Sequence, residues 1–578
     1  MDLNPSRYRL EIRNIKYRDH GLVYPQTAII THFNESNESG KVELQGYVEP
    51  EEIYRWIDEG KDIILDYCVV RNFSLAHYRL SRGMDRKDPV ILNNFSAVHA
   101  WFEAQGETDF SLAKFTGEKV SFHQARFVRG KTLFPGSFFG GIADFSYSRF
   151  VCGDIDFSNT VFSGGEVSFK NAVIGDGKKD FQYADFGNGS VVFTNTEFGP
   201  GELSFINAQF REGNVSFKVA RIAGGKIDFR FARFGDGDIS FERTEFGNSR
   251  VDFRTTEFQR GRVNFNRAVF GDGDVFFEGS GLKEGKFSFK RAQLGNGEFN
   301  FEMAEFDGVD VIFDRTSFGS GPVSFGHSAF GSLSLKSCHL DHYTDLRVKK
   351  CGVMDLSDTV VRDIIDMKPY EHPVNIGVLN LAGMRLLGVI FIDWEENRVK
   401  HMFSFQPDTT LHEKAEQFRL LKENFNHTGQ YNDEDHSYVE FKRFEARSRL
   451  ERTLKKSRWH ALWIYPWHGF KWLVVDVAGL YATAPLRVLI SMLGWYVLFS
   501  ITYWLMETFG KSRILSSTGY TLSSVARAFY HSAITFFTIG YGDHFPVGLI
   551  RVISAVEGFA GMFLMAYFTV SLVRKILR

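Results

Sequence analysis

Near its C-terminus the chain reads Thr538-Ile539-Gly540-Tyr541-Gly542-Asp543. The run holds a row of backbone carbonyls, a threonine hydroxyl at one end and a carboxylate at the other. Oxygens of this kind can replace the water around a cation stripped of its hydration shell. Aiming successive carbonyls at one axis demands unusual backbone angles, which Gly540 and Gly542 adopt without a Cβ clash. Other chemistry is poorly represented. No nucleophile–base pair, metal cluster or phosphate loop stands out, so an enzyme is not expected. His412-Glu413 opens as a zinc-binding helix motif would, but Glu416 stands where the second His is needed. Four scattered cysteines (Cys68, Cys152, Cys338, Cys351) suit a reducing compartment better than a disulfide scaffold. A formal net charge of -2 argues against a nucleic-acid partner.

Two apolar runs flank the Thr538–Asp543 run. Leu486 to Met506 spans 21 residues with one charge, Arg487. As a helix it rises about 31 Å, enough for a bilayer core of about 30 Å. Val552 to Val573 is similarly apolar, with Glu557 inside it, and Arg574, Lys575 and Arg578 follow. Ser523 to Phe537 is amphipathic and too short to span. The basic residues lie outside both runs on the same side, which predicts that both termini are cytoplasmic. The opening MDLNPSRYRLEIRN has no apolar stretch and does not read as a secretory signal.

Span, short helix, TIGYGD and span together resemble the two-transmembrane potassium channels of the pore-loop family. The resemblance covers about residues 486–574: outer helix 486–506, pore helix 523–537, filter 538–543 and inner helix 550–573, in a pore domain of 486–578. It implies a homotetramer in the cell (plasma or inner) membrane that conducts K⁺ passively and needs no cofactor beyond the permeant ion. Thr538, Ile539, Gly540, Tyr541 and Gly542 would line the ion path, with Asp543 at its mouth. Tyr541 would point away from the ions and brace the filter. Gly561 aligns with the inner-helix hinge glycine, and Gly558 is the competing candidate. Three positions depart from the family: Ile534 where some relatives keep a Glu, Phe537 where Thr is common, and Tyr530-His531 where an aromatic pair, often Trp-Trp, stands. There is no Arg-rich voltage-sensor helix and no Gly-rich dinucleotide fingerprint.

The middle of the chain is a different kind of sequence. The composition includes 60 Phe and 54 Gly against 13 Pro. From Phe145 to Phe325 every twelfth residue is Phe, 16 positions in all. The residues five further on, Phe150 to Phe330, are 12 Phe, 2 Ile and 2 Leu. Ala, Ser or Thr always stands three after the first Phe. An apolar residue usually stands two before it (Lys179 is the exception), and Gly often stands eight after it. A short fixed period marks a solenoid. The unit resembles the pentapeptide-repeat family with two Gly-rich residues added to every second unit. That resemblance implies a right-handed, four-sided parallel β-helix with two of the twelve-residue repeats in each coil. Residues 108–330 would make about nine coils and a rod of roughly 45 Å, with Gly at corners where φ is positive. The Gly-Asp-Gly runs lack the nine-residue register of calcium-binding rolls and read as turns. Residues 108–330 hold 29 acids and 26 bases, too balanced for DNA mimicry.

The remaining segments are an N-terminal cap region (1–107), irregular coils and a cap (331–410), a helical hairpin linker (411–456) and an interfacial segment (457–485). Arg447 to Arg458 is basic and Trp459 to Trp472 aromatic, the order of a juxtamembrane patch and an interfacial belt. The fold class is therefore multidomain: β-helix, helical linker and all-α two-span pore. The rod is expected to bind a cytosolic ligand or protein and to regulate the pore. The alternative reading is a membrane-anchored β-helical scaffold around a non-conducting pore.

Overall fold

A computed structural model describes residues 8–33, 39–152, 154–456, 461–517, 519 and 522–577. Arg458, Trp459 and Arg578 of the basic and aromatic runs lie outside the described residues. The chain divides into two compact units, Met1–Pro407 and Asp408–Arg578.

The first unit is a parallel β-solenoid. Val167 pairs with Val191 and Val191 with Val215, so each rung advances the chain by two repeats. One face stacks fourteen strands, from Ile63–Ile64 to Ile376–Asn380. At roughly 4.8 Å per rung that column is about 60 Å long. It exceeds the expected rod because rungs continue past both ends of the strict repeat. Parallel pairing begins at Gly46↔Cys68 and ends at Asp366↔Phe391. Beyond the repeat the step is three positions shorter at Val323↔Thr344 and one longer at Cys351↔Ile376.

The twelve-residue period places two Phe columns on opposite sides of each coil. Phe145 stacks on Phe169 with ring centroids 4.8 Å apart and planes 4° from parallel. Phe145 also meets Phe157 edge-on at 5.4 Å and 86°. Both geometries suit the ring quadrupole, and each buried ring removes roughly 150–250 Å² from water. The small residue three after Phe is buried too. Where it is Thr, its hydroxyl donates to a Phe carbonyl one rung back, as Thr196 Oγ1 does to Phe169 O at 2.7 Å. The core therefore takes a hydroxyl without leaving it unpaired. Lys179 is the polar intruder in the apolar column, and its Nζ donates to the carbonyls of Gly199 and Pro200 at 2.7 and 2.9 Å. Burial pushes its ammonium down to about 8.

Glycine is not what turns the Phe corner. The left-handed residue there stands two after each first Phe and is almost never Gly: Asn159, Tyr183, Val219, Phe231 and Arg267 all have φ between 56 and 60°. Its side chain points outward, so almost any type fits. The Gly column eight after Phe serves close stacking instead. A Cβ on Gly213 would lie 1.9 Å from Gly189 O, and one on Gly237 2.2 Å from Gly213 O. Some of these glycines, on either face, also take positive φ, as at Gly201 (126°), Gly225 (117°) and Gly261 (112°). The Asp of Gly-Asp-Gly supports the next rung: Asn296 N donates to Asp272 Oδ1 at 3.1 Å. Outside, stacked side chains of opposite charge pair across rungs, as in Arg233–Glu257 and Arg260–Glu284, each 3.3 Å.

The N-terminal end of the stack is closed by an antiparallel sheet of Tyr8–Arg13, Gln26–Phe33 and Ser39–Val48, whose last strand pairs in parallel with Cys68–Arg71. Ala28, Ile30, Tyr47 and Trp101 are buried beneath it. At the other end the helix Val399–Ser404 buries Val399, Met402 and Phe403. The Cys338 and Cys351 thiols lie inside, where burial pushes each up to about 12 and leaves it unreactive.

The second unit is helical. Leu411–His427 starts with a Thr410/Glu413 capping box and packs antiparallel on Tyr431–Lys456. After Ala461–Lys471 come a π-helical turn, Trp472–Val477, and three consecutive left-handed residues, Leu480, Tyr481 and Ala482. The outer helix Pro485–Phe509, pore helix Ser524–Phe536 and inner helix Ile550–Ile576 follow.

Two expectations follow for thermal melts of the full-length protein. Phe205→Ala, deep in its column, should cost about 3–5 kcal/mol, whereas Phe231→Asn at a left-handed outward position should cost nothing. The second concerns Lys179, whose folded pKa is depressed. Between pH 8 and 10 the unfolded chain then binds the proton more tightly, so stability should rise with pH across that window by up to about 3 kcal/mol. Lys179→Met should remove that increment, and an identical pH dependence in the variant would refute the assignment.

Candidate functional site

The pore helix is positioned from both ends. Its N-cap, Ser523, accepts a hydrogen bond from Ala526 N at 3.3 Å. One turn in, Arg527 pairs at 2.6 Å with Glu507, at the end of the outer helix. Its inward face, Ala528, Ser532 and Phe536 among others, is buried. The helix stops at Phe537, and the next residues turn back on it. Thr538 N donates to Thr535 O at 3.2 Å. Ile539 N and Gly540 N both donate to Ile534 O, at 2.9 and 3.2 Å. Three successive amides are thus committed to the pore helix.

Left-handed residues alternate through the loop: Thr538 has φ 55°, Gly540 64° and Gly542 74°. Alternation of hand turns successive carbonyls toward one side of the strand, away from the committed amides. Two of the three positions are the glycines read from the sequence. The third, Thr538, takes the same conformation with a side chain, at a cost of about 1–2 kcal/mol. Nothing in the residue types announces that. Thr538 to Gly542 are exposed, and Tyr541 is 71% exposed, so its ring does not pack on its own pore helix.

Asp543 closes the loop. Tyr530 OH donates to Asp543 Oδ2 at 2.8 Å, and Ser517 N donates to Asp543 O at 2.8 Å. The Tyr530 hydroxyl thus gives the departure from the aromatic pair a role as a strut to the filter mouth. Around it runs a short antiparallel ribbon, Arg513–Ser516 with His544–Val547, which the sequence reading did not anticipate. Its four-residue strands carry too little periodicity to register.

Behind the pore helix, Glu557 of the inner helix is fully buried. Tyr503 OH donates to its Oε2 at 2.5 Å, and the Ser532 hydroxyl donates to Oε1. His531 and Ser554 lie 2.9 Å apart beside it. One carboxylate therefore ties outer, pore and inner helices together, while Ile534 stands where some of the channels the sequence resembles keep a Glu. Burying a carboxylate is tolerable only with such partners. The two inner-helix glycines differ sharply. A Cβ on Gly561 would lie 2.0 Å from Phe536 O, whereas Gly558 has nothing nearer than 3.9 Å. The helix is continuous through both.

At the far end of the inner helix, Arg574 meets Asp435 at 3.0 Å and lies 4.4 Å over the Tyr438 ring. Lys575 also reaches Asp435 at 3.0 Å. Both partners belong to the second hairpin helix. That helix also holds Asp476 through Arg443, at 2.7 Å. Tyr567 OH accepts from Ala482 N at 2.7 Å and donates to Val475 O at 2.9 Å, clamping the left-handed turn.

Residues 490–578 match the family model described as "Ion channel". This segment is an ion channel domain. Its outer and inner helices are the two in the described residues long and apolar enough to cross a membrane. The channel domain is thus a membrane domain. The chain matches no curated protein and no solved structure.

The glycine geometry generates a test. Gly561→Ala should disrupt the pore-helix contact and lower the melting temperature of the purified protein, by about 1–3 kcal/mol in stability, while Gly558→Ala should be tolerated. Equal melting temperatures would contradict the packing described.

Proposed function

We propose that the protein is a homotetrameric, potassium-selective channel in the cell membrane. The observation that carries this reading is the loop 538–542: the amides of Thr538, Ile539 and Gly540 are bonded to the pore helix, left-handed residues alternate at 538, 540 and 542, and Tyr541 is largely exposed. A single chain supplies one wall of an ion path. Four copies around an axis would each present the carbonyls of Thr538, Ile539, Gly540 and Tyr541 and the Thr538 hydroxyl, replacing the hydration shell of K⁺. The neighbouring copy would cover Tyr541. The pore helix directs the negative end of its dipole at the central cavity. Asp543 stands at the outer mouth.

In this reading both termini are cytoplasmic, and the β-solenoid is a cytosolic regulatory or interaction module. The second hairpin helix grips the inner helix at Arg574 and Lys575 and the π-helical turn through Asp476. Movement of the hairpin would therefore act on the inner helix, with Gly561 or Gly558 as the point of bending.

The test is ion flux from purified protein in liposomes, comparing K⁺ with Na⁺. Wild type should pass K⁺ at least tenfold faster, and Thr538→Ala or Gly540→Ala should abolish or degrade that preference. Equal K⁺ and Na⁺ flux in the wild type would reject potassium selectivity. A silent pore in a folded tetramer would favour the scaffold reading.

A further inference from the structure

Neighbouring rungs of the solenoid often set opposite charges side by side, and where they set two cations together one member finds an acid elsewhere, as Arg126 beside Arg149 does in Glu43 and Lys226 beside Arg250 does in Glu202. Strands Glu257–Asn264 and Gly281–Ser288 lie side by side, with Arg260 opposite Glu284 and Arg262 opposite Lys286. The first couple is an ion pair of 3.3 Å. The second is two cations in the same register two residues on, an arrangement that destabilises a sheet. Neither Arg262 nor Lys286 forms an ion pair among the described residues. The anomaly widens around them. Residues 262–267 and 286–291 stack on each other and contain Arg262, Arg267, Lys286, Lys290 and Arg291 without one acid. Arg267 and Arg291 occupy outward left-handed corners, with Arg243 and Arg315 one rung to either side, and all four are exposed.

The same residues form a concave site. A groove of about 560 Å³ runs over these rungs, within the range of small-molecule sites. Arg262 and Lys286 line one side, Lys218 and Lys290 the other, and Ser240 and Ser288 are among its polar lining. Lys218 and Lys290 are partly neutralised by Glu242 (3.5 Å) and Asp314 (3.2 Å). The groove's one carboxylate, Asp238, accepts from the backbone N of Arg262 at 2.9 Å. The charge without an ion-pair partner is thus concentrated at Arg262 and Lys286, beside the Ser240 hydroxyl; the Ser288 hydroxyl already donates to Asn266 Oδ1 at 2.7 Å.

We infer that this groove binds a soluble organic phosphate carrying a diphosphate or longer phosphoryl chain. A guanidinium and an ammonium one rung apart match adjacent phosphoryl groups, and neighbouring hydroxyls and amides supply further donors. The ligand supplies counter-charge to two adjacent cations, neither of which is within ion-pair distance of a carboxylate among the described residues, although Lys286 has Asp310 opposite it on the next rung. The inference concerns binding to the solenoid and stands whether or not the pore conducts.

The test is calorimetric titration of the full-length protein in detergent and phosphate-free buffer with inorganic pyrophosphate, against sulfate at matched ionic strength. Pyrophosphate should bind saturably and at least about tenfold tighter than sulfate, and at least about tenfold weaker to R262S. K286Q should lose binding while melting no lower than the wild type, because it relieves the like-charge contact with Arg262 and breaks no ion pair. That combination separates a ligand site from a structural role, and R262S keeps the test alive should K286Q fold poorly. Pyrophosphate bound no better than sulfate, or bound undiminished by both variants, overturns the inference.

Discussion

Three amides decide the geometry of the pore loop. Because the N–H groups of Thr538, Ile539 and Gly540 are taken by carbonyls at the end of their own pore helix, the loop cannot fold back as an ordinary turn. Its carbonyls are left to face elsewhere. Carbonyls that the chain itself leaves without a donor are satisfied by water or by a bound cation. The supporting contacts hold that arrangement in place. Arg527–Glu507 and the Glu557 cluster fix the pore helix, and Tyr530 and Ser517 fix Asp543.

The solenoid solves the opposite problem. There much of the backbone is engaged in rung-to-rung hydrogen bonding, and every second repeat returns to the same place on the coil. Each ring column is continuous, so each Phe is supported by the ring one rung away and by the edge of the column opposite. Such stacks need ends. An antiparallel sheet and a short helix cover the last rungs, and both use ordinary aliphatic and aromatic residues in place of the repeat.

Much of this was readable in the residues. The fixed Phe spacing reads as a solenoid, and the resemblance to pentapeptide repeats implies two repeats in each coil, as the pairing of Val167 with Val191 bears out. The short amphipathic segment between two apolar runs encodes a re-entrant helix. What escaped reading has a common cause: it is imposed by tertiary packing on positions that tolerate many side chains. The left-handed corner is occupied by Asn159, Tyr183, Val219, Phe231 or Arg267 because only the backbone is constrained there. The Gly column was legible as Gly but not as a stacking device, since only the neighbouring rung reveals the carbonyl that excludes a Cβ. Glu557 was visible as an anomaly, whereas its partner Tyr503 lies far back in the outer helix with no local signal.

The inner helix is where these constraints meet. Its middle is tied to the pore helix twice, by close backbone packing at Gly561 and by the carboxylate of Glu557. Its C-terminal end is tied to the hairpin by ion pairs to Asp435. Between them Tyr567 holds a turn of three consecutive left-handed residues, Leu480 to Ala482, a conformation costing about 1–2 kcal/mol per residue. Such a turn persists only while its surroundings over-determine it. The middle contacts are buried and apolar or neutral in surroundings; the end contacts are charged and partly exposed. A rearrangement of this helix therefore breaks the peripheral ties at far lower cost than the central ones. That asymmetry puts the weaker ties at the C-terminal end of the helix and the stronger ones beside the loop at 538–542.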